Sequence, residues 1–133
     1  MTDIVLLDGS IGQELVARSG DRATPLWSTR VMMDHPEMVG AVHDDYFTAG
    51  ATIASTNTYA VHRSRLERVG LADQLPHLVQ TAIDQAEQAR ARHGGRIAGV
   101  LGPLLASYRP DLNPDPDDAA LKFGELVTLM APR

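Results

Sequence analysis

The sequence predicts an α/β fold with a parallel sheet, on three observations. Short apolar runs alternate with stretches of helical periodicity, each run closes on small and polar residues, and helix-start and helix-stop residues bracket the periodic stretches. The first run, "IVLL" at 4–7, has the continuous apolar character of a strand buried on both faces. Residues 36–49 predict an amphipathic helix: Pro36 suits a first helical position, Met38, Val39, Val42, Tyr46 and Phe47 are apolar, and Gly50 stands just past the end. "ATIASTNT", from Ala51, restarts β-type composition and predicts a second strand over 52–55. Leu75, Leu78, Val79, Ala82, Ile83 and Ala86 recur at helical spacing, followed by basic Arg90, Arg92 and His93 and then Gly94-Gly95. "RIAGVLGP" predicts a third strand over 97–101. After the Pro- and Asp-rich "YRPDLNPDPDD", Ala119, Phe123, Leu126, Val127 and Met130 predict a last helix. Strands in this alternation are joined by right-handed crossovers.

A length of 133 residues suits one domain, residues 1–133, able to bury a real core. Hydrophobic residues make up 44% and charged residues 22%, which predicts a soluble protein; no apolar run approaches the length that spans a bilayer. The N-terminus lacks the basic, apolar, small-residue order of a secretion signal, so the expected location is cytoplasmic. A net charge of −5 argues against a nucleic-acid partner, and Arg63, Arg65 and Arg68, interrupted by Glu67, read as a solvated helix face. With no cysteine, the chain has no disulfide, thiolate metal ligand or cysteine nucleophile of its own.

In parallel α/β folds ligands bind outside the carboxyl ends of the strands. Here those ends read "DGSIG", "STNT" and "LGP", so Asp8, Thr56, Asn57, Thr58 and Gly102 are expected to converge. Asp8 could accept hydrogen bonds from a substrate ammonium, and Gly9 and Gly12 would allow a close backbone approach or a turn. Equally, Asp8 could cap the helix that follows, as Asp often does. His35, His43, His62, His77 and His93 show no i, i+4 pair, and His35 and His93 fall at helix ends, which discourages a histidine metal site. Asp44-Asp45 and the acids Asp111, Asp115, Asp117 and Asp118 lack the pattern of a calcium loop and read as a solvated face and a helix-capping loop. "DGSIG" also lacks the glycine pattern and lysine of a phosphate loop.

Four stretches, "LLDGSIGQEL", "PLWS", "HPEMVGAVHDDYFTAGATIASTNTYA" and "LGPLLASYRPDL", occur in the order and spacing of the homocysteine S-methyltransferase family, which the chain resembles over about residues 4–130. The resemblance implies a (β/α)8 TIM barrel that moves a methyl group from a small donor to the thiol of homocysteine, giving methionine, with zinc holding the sulfur as thiolate. It also implies that Asp8 binds the amino acid's ammonium group with Gly9 beside it, and that Thr56 and Asn57 line the same pocket. Trp27 of "PLWS" matches an aromatic that packs near the donor in betaine-using members, and aromatic faces do attract methylated cations.

A complete barrel takes ~250 residues, so the chain corresponds to the first three strand–helix units, truncated before the part that carries the family's cysteine zinc ligands. A thiol of pKa ~8.5 is mostly protonated at neutral pH, so the chain alone is expected to be inactive. Two expectations follow: an incomplete homocysteine methyltransferase, or a noncatalytic truncated module that binds an amino acid weakly. In either case the open barrel would self-associate or pair with a complementing C-terminal chain, because three strands leave two free edges.

Overall fold

The computed structural model describes residues 3–20, 22 and 24–131. Two short strands, β1 (Ile53–Ser55) and β2 (Arg96–Ala98), pair in parallel with Ile53 opposite Arg96. Residues 4–8 run along the other edge of β1, also parallel. Leu7 bridges to Ile53, the Thr52 N–H donates to the Leu6 carbonyl at 2.9 Å, and the Asp8 N–H donates to the Ile53 carbonyl at 3.3 Å. All three expected strand segments therefore lie side by side in one direction.

The first of them departs from expectation. Residues 4–7 form a bridge rather than a regular ladder, and they are not buried on both faces: Ile4 is 93% exposed, and Val5, Leu6 and Leu7 are exposed as well. Continuous hydrophobicity registers what a strand could bury; the described residues supply no layer to cover this one. The third segment pairs over 96–98 rather than 97–101, because beyond Ala98 the Val100 N–H turns to the Thr56 hydroxyl at 3.1 Å.

Among the described residues there are six α-helices, α1 (Ile11–Ser19), α2 (Ser28–Asp34), α3 (Pro36–Thr48), α4 (Arg63–Glu67), α5 (Leu75–His93) and α6 (Pro116–Met130), of which α3 and α5 pack on the strands. Helices α3, α5 and α6 match the expected ones, and α6 starts early because the Asp115 carboxylate caps it, accepting from the Asp117 and Asp118 N–H groups at 3.1 Å. Gly94 and Gly95, with φ of 80° and 89°, turn the chain from α5 into β2, and a Cβ on Gly95 would lie 2.7 Å from the Thr52 carbonyl oxygen. The core sits among the helices, where Leu15, Met32, Val39, Val42, Leu75 and Leu126 are almost wholly buried.

Several charges expected on solvated faces instead join elements. Asp44 accepts from Arg92 at 2.8 and 3.0 Å and meets His93 at 3.0 Å, fastening α3 to the end of α5, and Asp45 pairs with Arg18 of α1 at 2.7 Å. Arg63 grips Glu125 of α6 with Nε at 3.0 and 3.1 Å, while Arg65 donates to the Pro103 carbonyl with its guanidinium 5.9 Å from the Tyr59 ring centre. Short helices bring these side chains against neighbouring elements, so only Arg68 of that cluster is exposed. A groove of about 580 Å³ runs along the free edge of β2 between α5 and α6, lined in part by Ile83, Ile97, Leu129 and Met130. No helix among the described residues is long and apolar enough to cross a membrane.

Candidate ligand site at the carboxyl ends of the strands

Asp8 ends the first parallel segment and stands half-buried beside the end of β1. One of its carboxylate oxygens, Oδ2, accepts from the Ser55 N–H at 2.6 Å, and the other, Oδ1, accepts from the Ser55 hydroxyl at 2.8 Å. The helix cap is elsewhere: Ser10 caps α1, its Oγ accepting from the Gln13 N–H at 3.4 Å. Asp8 is thus free of the capping role that the sequence left open. Among the described residues it also makes no ion pair, so its charge has two hydrogen bonds but no cation against it.

Gly9 serves a close approach rather than a left-handed turn. A Cβ there would lie 2.6 Å from the Tyr46 Oη, and that hydroxyl donates to the Ser10 carbonyl at 3.3 Å. Burial raises the Tyr46 pKa, aided by Glu14 and Asp8. Behind the same end of the sheet His43 is fully buried, with neither ring nitrogen partnered by a described residue. Burial lowers its pKa against the pull of Asp8 and Asp44, which leaves a neutral ring near Asp8 at neutral pH.

Thr56 and Asn57 follow β1 directly and are both buried. The Thr58 hydroxyl donates to the Val100 carbonyl at 2.7 Å, so in its 2.8 Å contact with Thr56 it must accept. Thr56 therefore gives its one hydroxyl proton to Thr58 and accepts from the Val100 N–H, keeping only acceptor capacity for anything else. Asn57 turns toward α2: its Oδ1 accepts from the Ser28 hydroxyl at 2.7 Å, and its Nδ2 donates to the Ser28 carbonyl at 3.3 Å and contacts the Met32 sulfur at 3.7 Å. Ser28 is next to Trp27, a residue 49% exposed, which enters α2 at φ 48° and ψ −129°, a conformation that favours glycine. Gly102 lies tightly under the Tyr59 carbonyl, where a Cβ would clash with backbone.

The structure links Asp8 to Ser55, Ser55 runs directly into Thr56 and Asn57, and Asn57 reaches Ser28, the first residue of α2 and the neighbour of Trp27. The sequence did not assign roles to Ser55, Ser28 or Tyr46. Ser55 alone carried a legible signal, as the first polar residue after an apolar strand.

A metal fits poorly here. Among the described residues no three histidine, cysteine, aspartate or glutamate side chains cluster as a metal would require, and the sequence has no cysteine. The His62 Nε2 is taken by the Tyr59 carbonyl at 3.0 Å, and His93 is engaged with Asp44.

The arrangement defines an α/β protein whose acidic and hydroxyl groups gather where parallel strands end. Its family is established by direct similarity: the family described as homocysteine S-methyltransferase matches residues 5–133, and the chain belongs to that family. The homocysteine S-methyltransferase of Escherichia coli is 34% identical over 113 residues, covering 78% of this chain and 36% of that protein. Homocysteine S-methyltransferase YbgG of Bacillus subtilis is 29% identical over 142 residues, covering 98% of this chain and 45% of that one. The metallated form of the E. coli homocysteine methyltransferase MmuM superimposes with a TM-score of 0.83 at 29% identity, over 97% of this chain and 50% of that one. The chain thus spans at most about half the length of these relatives.

Proposed function

We propose that the chain carries the amino-acid-recognising front of a homocysteine S-methyltransferase, built as the first three strand–helix units of a (β/α)8 barrel over residues 1–133. Asp8 holds the ammonium group of homocysteine, Gly9 lets the backbone come close, Thr56 accepts a hydrogen bond, and Asn57 fixes α2 so that Trp27 faces the methyl donor. The observation that carries this reading is the Asp8 carboxylate at the strand ends, held by two hydrogen bonds and paired with no described cation. In the reaction a sulfur–carbon bond forms at homocysteine, the donor loses its methyl group, and the thiol proton leaves. No residue described here takes that proton or holds a metal, so the step that activates the thiol comes from outside these residues. The location proposed for this activity is the cytoplasm.

Calorimetry with L-homocysteine tests the reading. Asp8→Asn removes a charge-assisted contact, so affinity falls about ten- to a hundredfold; unchanged affinity would sink it. A second reading, a noncatalytic module that pairs with another chain or a second copy, rests on the exposed apolar residues 4–7 and the β2 edge. Sedimentation over a range of concentrations, comparing the chain with a Val5→Ser, Leu6→Ser variant, tests the second-copy form of that pairing: a monomer in both rules it out.

A further inference from the structure

We infer that Ser55 is a positioning residue, which orients the Asp8 carboxylate toward an ammonium group; this rests on the ammonium-anchor reading of Asp8. Two donors of one residue reach both oxygens of one carboxylate, the N–H at 2.6 Å to Oδ2 and the hydroxyl at 2.8 Å to Oδ1. Together they close a ring that fixes the carboxylate plane, which a single hydrogen bond would leave free to rotate. The two residues are 47 positions apart and sit on adjacent parallel segments, so the sheet pairing sets the alignment.

An ionised carboxylate offers about four acceptor sites. Ser55 takes two and leaves one on each oxygen. The hydroxyl proton of Ser55 is spent on Asp8, so Ser55 cannot donate to a ligand itself and acts only through the acid. What remains is a half-buried carboxylate of fixed direction, with spare acceptor sites and no cation from the described residues. His43, the nearby buried ring, stays neutral and does not fill that place. A primary ammonium, with three donors and a full charge, matches the site in charge and in donor type.

The test titrates the whole chain with L-homocysteine and with 4-mercaptobutanoate, the same molecule without its amine, alongside urea denaturation. Ser55→Ala lowers L-homocysteine affinity about five- to tenfold, less than the full worth of a hydrogen bond to a charged group because the Ser55 N–H still holds Oδ2, and leaves 4-mercaptobutanoate binding unchanged. Ser55→Thr restores homocysteine binding, whereas Ser55→Val, which differs from it only in the hydroxyl, does not. If Ser55→Ala fails to fold, the Thr and Val pair carries the decision. Equal weakening of both ligands, or of neither, overturns the positioning role and leaves Asp8 to be judged by Asp8→Asn. Homocysteine affinity unchanged in Asp8→Asn, or no binding by the unsubstituted chain, overturns the ammonium anchor itself.

Discussion

Val39 and Val42 of α3 and Leu75 and Leu78 of α5 are at most 2% exposed, whereas Ile4, Val5, Leu6 and Leu7, equally apolar, are between 51% and 93% exposed. The difference lies in the partners rather than in the side chains. Helices α3 and α5 face each other closely enough that a Cβ on Gly40 would lie 2.6 Å from the Gln85 amide oxygen. Among the described residues the first strand segment has a neighbour on one edge only. Most of the stability of this chain therefore resides in its helix layer, and its candidate chemistry stands on the thinner layer of strands.

The largest effect expected from that contrast is a truncation in the helix layer. Leu75→Ala should cost about 2–5 kcal/mol, while Leu6→Ala, at an exposed position, should stay within about 0.5 kcal/mol. Urea denaturation of both variants measures the gap, and equal losses would show that the two layers share the load. Acid should weaken the same layer next. His62 is buried, and burial, reinforced by Arg65, lowers its pKa from 6.5 to about 4. A group depressed in the folded state stabilises fully above its ordinary pKa and loses that contribution as pH falls through the folded value. Stability should thus decline between pH of about 6.5 and 4 by about 3 kcal/mol at most, and His62→Gln should flatten that part of the profile. A wild-type curve already flat there would contradict the buried neutral ring.

Smaller effects sharpen the boundary between the layers. Gly102→Ala pushes a methyl group into the Tyr59 carbonyl, and backbone cannot swing away as a side chain can, so a loss of about 1–3 kcal/mol is expected by calorimetric melting. Arg63→Ala releases Glu125 between two partly exposed side chains and should cost no more than about 1 kcal/mol. A loss several times larger would place α4 and α6 inside the cooperative core.

Legibility in the sequence followed the same division. Helices α3, α5 and α6 announced themselves because cap, period and stop residues agree at Pro36 and Gly50, at Gly94-Gly95, and at Asp115. Helix α1 hid behind the two glycines of "DGSIG", although Ser10 with Gln13 three residues on, and Gly20 at its end, form a start and a stop. Helix α2 begins at a Trp27 conformation that no propensity anticipates. At the candidate site, sequence position placed Asp8, Thr56 and Asn57 at strand ends. It could not show that Asn57 spends its amide on Ser28, or that Ser55 faces Asp8, since both depend on contacts across 29 and 47 residues.

Trp27 carries one more consequence. With φ at 48°, its backbone would relax if the residue were glycine, by an amount of about 1–3 kcal/mol for a strained position. The indole stands half in solvent, so its packing offsets only part of what a fully buried ring would. Stability and aromatic surface therefore pull in opposite directions at this one position. A library screened only for heat resistance would drift toward Trp27→Gly, and one screened for capture of a methylated cation would hold the tryptophan. The direction of that drift would reveal whether the ring is there for the fold or for a ligand.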